Sequence, residues 1–107
     1  MVRTKDFGNL SFIGYIDMKK IGGYKKLIEL FDNNNISYDI NSISSKYSVF
    51  NGGNVYLSDK DFIVISSYSR LVRPRFIPIR KLYVYELYII SKNDFYKIKD
   101  KLPIKQN

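Results

Sequence analysis

The stretch GGYKKLIELFDNNNISYDINSIS, residues 22–44, carries the clearest structural pattern in the chain. Its first half has apolar residues at the i, i+3, i+4 and i+7 spacing of a helix face: Tyr24, Leu27, Ile28 and Phe31. Three asparagines follow, and asparagine is a common helix terminator. From Ile36 onward apolar and polar residues alternate, which is typical of a strand with one buried face. The stretch therefore predicts an amphipathic helix from about Tyr24 to Asp32, followed by a strand.

Further strands are predicted downstream. YSVFNGGNVYL, residues 47–57, has two β-prone arms around an Asn-Gly-Gly-Asn turn and predicts a hairpin. DFIVISSY, residues 61–68, and KLYVYELYII, residues 81–90, also have strand composition. In SKNDFYKIKDKL, residues 91–102, Ser91 is suited to cap a short helix that Pro103 would stop.

The segment upstream of the central helix is less regular. NLSFIGYIDMKKI, residues 9–21, has apolar residues at mixed spacing, compatible with a short helix or with a strand. We favour a helix that packs Leu10, Ile13 and Ile16.

Together these elements predict an α+β fold. An N-terminal helix-plus-sheet lobe, residues 1–58, would pack on a basic, β-rich C-terminal lobe, residues 59–107, that ends in a short helix. A chain of 107 residues is long enough for one core of modest size, so the two lobes would form one compact unit.

The composition excludes several kinds of site. The chain has no cysteine, histidine or tryptophan, so disulfides, cysteine or histidine metal sites and histidine-based triads are impossible. No apolar run approaches the ~18 residues that span a bilayer, and the first residues lack the apolar core of a secretory signal. We expect an aqueous, internal compartment.

Positive charge is concentrated in the second half of the chain. The net charge is +8, and residues 70–107 carry ten basic and three acidic side chains. RLVRPRFIPIR, residues 70–80, holds four of the five arginines around Pro74 and Pro78, which exclude a central strand and favour an edge strand or an extended segment. Arginine suits phosphate oxygens and stacks on bases, so this pattern favours a polyanionic partner.

Two other residue sets could carry chemistry. Asp61 and Glu86 could hold Mg²⁺ as in a nuclease, but the position two residues after the glutamate is Tyr88 instead of lysine, and ordinary turn and strand roles explain both acids. The ten tyrosines could stack on unpaired bases, although a half-buried strand position is the commoner role. We predict a protein without catalytic residues, metal or cofactor.

In the order of its elements the chain resembles the eighth small-subunit ribosomal protein of the bacterial type, a primary binder of rRNA. YKKLIELFDNNNISYDI, residues 24–40, is similar to that family's second helix and following strand. NVYLSDKDFIVISSYSRLVRPRFIPIRKL, residues 54–82, resembles a stretched version of its isoleucine-serine-x-proline-x-arginine segment and lysine-leucine pair. LYIIS, residues 87–91, resembles the strand that leads into the family's serine-rich loop, although Lys92, Asn93 and Asp94 replace the residues after its first serine.

The resemblance implies a structural component of the small ribosomal subunit. Its partners would be small-subunit rRNA and neighbouring ribosomal proteins, with no membrane and no small-molecule substrate. The residues expected to bind rRNA are Arg70, Arg73, Arg75, Arg80, Lys81, Ser91, Lys92 and Asn93.

Alanine is absent, whereas residues with AT-rich codons abound, which indicates an AT-rich genome. We therefore expect a ribosome of the mitochondrial matrix, with a plastid or the bacterial cytoplasm as alternatives. The other hypothesis is a small basic accessory protein of a virus or plasmid that binds nucleic acid.

Overall fold

The computed structural model of the chain describes residues 8–45, 52–66, 70–72 and 82–105. In chain order its elements are β1 (Leu10–Ile16), α1 (Met18–Ile21), α2 (Tyr24–Asn33), β2 (Asp39–Ser45), β3 (Asn54–Ser58), β4 (Phe62–Ser66), β5 (Arg70–Val72), β6 (Leu82–Ser91), α3 (Lys92–Ile98), a 3₁₀ helix (Lys99–Lys101) and β7 (Ile104–Lys105).

The strands of the described ranges form one antiparallel sheet in the order β2-β6-β4-β3-β1-β7. Strand β5 also pairs with β6. Since β2 pairs with one edge of β6 at Val84, β5 lies on the opposite edge, which β4 uses further along the strand. Strands from residues 1–58 and from residues 59–107 are interleaved in this sheet. The predicted α+β fold class, with a short helix near the C-terminus, is confirmed.

Helix α2 begins and ends close to the predicted positions. Leu27 and Phe31 are fully buried on its apolar face, as the helical spacing predicts. The helix ends at Asn33, where the Asn34 side-chain amide donates to the Leu30 carbonyl over 2.8 Å and Asn35 adopts a left-handed φ of 55°. Asparagine tolerates that backbone better than most residues, which explains the termination signal.

Strand β2 follows as predicted, but its apolar face is only partly buried. Ile36 is buried just before the strand, whereas Ile40 is 46% exposed. Because β2 is the terminal strand of the sheet order in the described residues, it has neighbouring side chains on one flank only.

The predicted helix at the start of the chain is wrong, since residues 10–16 form strand β1. The strand pairs with β3 from Leu10↔Ser58 to Tyr15↔Asn54, with an irregularity between Phe12 and Gly14. That bulge shifts the alternation of apolar side chains and explains the mixed spacing in the sequence. Helix formation is confined to the four residues of α1, which the Asp17 carboxylate caps by accepting from the Lys19 and Lys20 amides.

The predicted hairpin has the wrong partner for its second arm. Its first arm, residues 47–50, lies outside the described residues. Its second arm is β3, whose two edges pair with β1 and β4. Gly53 of the turn contacts both neighbours of β3: its carbonyl accepts from the Ile16 amide over 2.8 Å, and its amide donates to the Ser66 carbonyl over 2.7 Å. Local turn signals do not reveal such a long-range partner.

The two faces of the sheet have different coverings. One face, called the helix face, packs against Leu27 and Phe31 of α2 and Phe95 and Ile98 of α3. Its sheet residues are Val55, Ile63, Ile65, Tyr88 and Ile90. The opposite face has its own cluster, Val64, Tyr85, Leu87 and Ile89, to which none of the described helices contributes. The main core therefore lies between the helices and the helix face.

Candidate nucleic-acid interface

The arginine-rich segment is attached at one end of strand β6. Arg70 lies in β5, where its backbone pairs with Val84, and Val72 lies opposite Leu82. The predicted site residues Arg73, Arg75, Arg80 and Lys81 fall within residues 73–81, outside the described residues. Val72 and Leu82, the described residues that flank these positions, are partners in the sheet.

Ser91, Lys92 and Asn93 lie at the other end of β6. From Leu82 to Ser91 the strand advances nine residues, or about 30 Å at ~3.3 Å per residue. Of the predicted residues that the structure describes, Arg70 pairs with Val84, which lies seven residues, or about 23 Å, from Ser91 along β6. A partner that contacts both Arg70 and Ser91 would need to span at least this distance.

Ser91 has a structural role that restricts its chemistry. Its hydroxyl oxygen accepts from the Asp94 amide over 3.1 Å and so caps α3, as the sequence predicted. The Asp94 carboxylate lies 3.3 Å from the Lys97 ammonium. Among the described residues none accepts the Ser91 hydroxyl hydrogen, which can therefore donate to a ligand.

The junction of β6 and α3 forms a shallow depression of about 380 Å³. Its lining residues are Asp61, Ser91, Lys92, Asn93 and Tyr96. The turn before β4 supplies Asp61, and the Lys92 amide donates to the Asp61 carbonyl over 3.1 Å. The depression therefore has an acidic side chain and a basic one in its lining.

Sequence reasoning missed that Asp61 and Tyr96 belong with residues 91–93. Asp61 is 30 residues from Ser91 in the chain, and only the antiparallel register Phe62↔Ser91 brings them together. No local motif carries that information. In the sequence Tyr96 stands out only as one of several tyrosines near the basic segment.

The same register separates the two acids of the nuclease hypothesis. Asp61 lies at the Ser91 end of β6, while Glu86 lies beyond the Ser66↔Leu87 pair at the other end of β4. Five residues of strand between Ser91 and Glu86 correspond to about 17 Å, too far for one metal site. In the part of the chain that the structure describes, no three acidic side chains group together as metal ligands. Asp61 and Glu86 therefore cannot bind one metal ion together in this arrangement.

A second depression, of about 530 Å³, lies between β1, α1 and α2 and includes Tyr15, Asp17, Lys19 and Tyr24 in its lining. The acidic residue of this depression already has structural contacts. Asp17 caps α1, and the Asp17 carboxylate lies 3.8 Å from the Lys105 ammonium. These contacts explain Asp17 without a ligand.

Most of the excess positive charge belongs to residues outside the described ranges. The described residues carry eleven basic and nine acidic side chains, and the remaining residues carry seven basic and one acidic. The described surface is therefore nearly balanced, and the strongest attraction for a polyanion comes from the other segments, residues 73–81 above all.

Comparison of the chain with family models, curated proteins and solved structures finds no match. Of the helices in the described ranges, none has the length and apolar character needed to cross a membrane.

Proposed function

We propose that this chain is a non-enzymatic RNA-binding protein of the small ribosomal subunit, in the mitochondrion or another AT-rich organelle. It would act through rRNA and neighbouring ribosomal proteins, with no cofactor and no small-molecule substrate. The observation that carries the proposal is the pairing of Val72 with Leu82, which places the described residues on either side of positions 73–81 at one end of β6.

In this proposal the two groups of predicted residues have different tasks. Arg70, Arg73, Arg75, Arg80 and Lys81 neutralise phosphates and position the protein, as arginine-rich segments do on nucleic acids. Ser91, Lys92 and Asn93 offer short polar groups to sugar hydroxyls and base edges. The distance of about 23 Å along β6 between Val84, the partner of Arg70, and Ser91 suits a folded RNA that lies along this strand.

The test is sedimentation of the tagged protein from its own cells or organelles. We expect it to travel with the small ribosomal subunit at low salt and to dissociate as salt rises, because phosphate contacts release counterions. A protein found only in the free fraction would overturn the ribosomal assignment.

Competition binding then examines the nucleic acid itself. Structured RNA should compete better than duplex DNA of equal length for the purified protein. The reverse preference would replace the ribosomal proposal with that of a DNA-binding accessory protein from a virus or plasmid.

A further inference from the structure

Tyr96 is the most exposed large hydrophobic side chain of the described residues, at 56%. It follows the buried Phe95 on α3, so its ring lies outside the core. The Lys99 ammonium lies 5.8 Å from the centre of the ring. Because the Lys99 ammonium lies over one face of the ring, a base of single-stranded nucleic acid would stack on the opposite face, with Lys99 near its phosphate.

Asp61 is held in place on the lining of the same depression. Its backbone has a left-handed φ of 66°, its amide donates to the Ser58 carbonyl over 3.2 Å, and its carbonyl accepts from the Lys92 amide over 3.1 Å. Among the described residues no hydrogen bond or ion pair engages its carboxylate. The two backbone bonds fix the position of Asp61 beside Lys92.

The carboxylate also limits which part of a nucleotide it faces. It repels phosphate and accepts hydrogen bonds from N–H groups, so a base edge fits beside Asp61 better than the backbone does. Lys92 and Asn93 supply donors in the same depression, and Ser91 retains its hydroxyl hydrogen. The lining thus combines the carboxylate of Asp61, which accepts hydrogen bonds, with donor groups and with the aromatic ring of Tyr96.

Among the four RNA bases, guanine matches this combination. Its Watson–Crick edge presents two adjacent N–H donors, which suit both oxygens of one carboxylate, and a carbonyl acceptor for Lys92 or Asn93. Adenine, cytosine and uracil each lack the adjacent pair of donors.

We propose that this depression binds one unpaired guanine of an RNA, with the base stacked on Tyr96 and its N–H edge on Asp61. Lys99 would neutralise a flanking phosphate. The proposal rests on the proposed RNA-binding function and assigns a base-reading task to the end of β6 opposite the arginine-rich segment.

The test uses the full chain and four labelled pentamers, UUGUU, UUAUU, UUCUU and UUUUU, followed by fluorescence anisotropy. We expect UUGUU to bind about tenfold more tightly than the others, a usual size for a two-bond base contact. Asp61→Asn should abolish that preference, while asparagine still tolerates the left-handed backbone. Asp100→Asn is the matched control, because it also removes one exposed negative charge but lies outside the depression.

Substitutions of Tyr96 examine the stacking contact separately. Tyr96→Ala should weaken binding of every pentamer roughly tenfold, whereas Tyr96→Phe should retain it, because stacking needs the ring and not the hydroxyl. Since Tyr96 is exposed, neither variant should lose its fold.

The outcomes distinguish this inference from the proposed function. Equal binding of the four pentamers, or a guanine preference that survives Asp61→Asn, would overturn the guanine site while binding of structured RNA still supports the proposed function. Failure of the wild-type protein to bind both the pentamers and structured RNA would overturn both.

Discussion

The hydroxyl oxygen of Ser91 accepts the backbone N–H of Asp94 over 3.1 Å, and this bond joins the end of β6 to the first turn of α3. Ser91→Ala should lower the free energy of unfolding by about 1 kcal/mol, a typical loss for an N-cap. Urea denaturation measures the change. Ser91→Asp, which keeps a side-chain acceptor, should recover most of the stability.

Ser37→Ala is the control for that measurement. Ser37 is exposed in the connection between α2 and β2, and its replacement should change stability by less than about 0.5 kcal/mol. Equal stability of Ser91→Ala and wild type would contradict the capping role.

Removing a phenylalanine ring should lower the free energy of unfolding by different amounts on the two sides of the sheet. Phe31 is fully buried between α2 and the helix face, and its ring centre lies 5.4 Å from that of Tyr38. Phe31→Ala should cost about 3–5 kcal/mol. Phe12 lies in β1 with 44% of its surface exposed and contacts Tyr56 edge-on at 5.9 Å, so Phe12→Ala should cost about 1 kcal/mol. Similar losses in thermal unfolding experiments would show that the main core is misplaced.

Two glycines separate the effect of backbone conformation from that of close packing. Gly23 and Gly53 have left-handed φ values of 96° and 85°. A Cβ on Gly23 would meet nothing within 4 Å, whereas a Cβ on Gly53 would lie 2.7 Å from the Ile16 carbonyl oxygen. Gly23→Ala should therefore cost about 1–2 kcal/mol from the backbone alone, and Gly53→Ala should cost more. Urea titrations that give the opposite order would refute the close approach of the 52–53 turn to β1.

Tyr56 makes stability depend on alkaline pH. Burial raises the pKa of its phenol above the ordinary value of 10.0, and the hydrogen bond from the Asn54 amide partly opposes this. Because the folded-state pKa is the higher one, the protonated phenol contributes its full stability below pH 10, and the contribution is lost as pH rises through the folded-state pKa. The stability of Tyr56→Phe should fall less between pH 9 and 12 than that of wild type. Parallel curves for the two proteins would contradict the shift.

Local patterns were sufficient for elements whose partners lie nearby in sequence. The helical spacing of Leu27 and Phe31 predicted α2, and the serine before Lys92 predicted the start of α3. In both cases the decisive interactions span only a few residues. The fold class followed from such elements.

Pairing between distant strands could not be predicted in the same way. Strand β1 was mistaken for a helix because the bulge between Phe12 and Gly14 hides its alternation. The partner of β3 was also missed, since β1 is about 40 residues away in the chain. Composition does not determine which strands pair with each other when several β-prone segments are available.

The candidate site shows the same division. Ser91 was predicted from the resemblance, and Lys92 and Asn93 from the polar side chains that follow it, but the register Phe62↔Ser91 was needed to add Asp61 to them. The same register separates Glu86 from Asp61, so the two carboxylates cannot bind one metal ion together. Which residues form the depression thus depends on the register between β4 and β6, which local sequence patterns do not show.

The last prediction concerns the arginine-rich segment, of which positions 73–81 lie between the paired residues Val72 and Leu82 in the chain. Replacing Arg73 and Arg75 together with alanine should weaken binding of structured RNA and lower the slope of log K against log salt by about 2, because each arginine would neutralise about one phosphate. The melting temperature should stay nearly constant if these side chains serve binding and not folding. Lys19→Ala combined with Lys25→Ala removes the same charge from exposed positions of α1 and α2 and should change the slope far less. Equal effects of the two double variants would indicate attraction by net charge alone, and a loss of fold in the arginine variant would make those side chains structural.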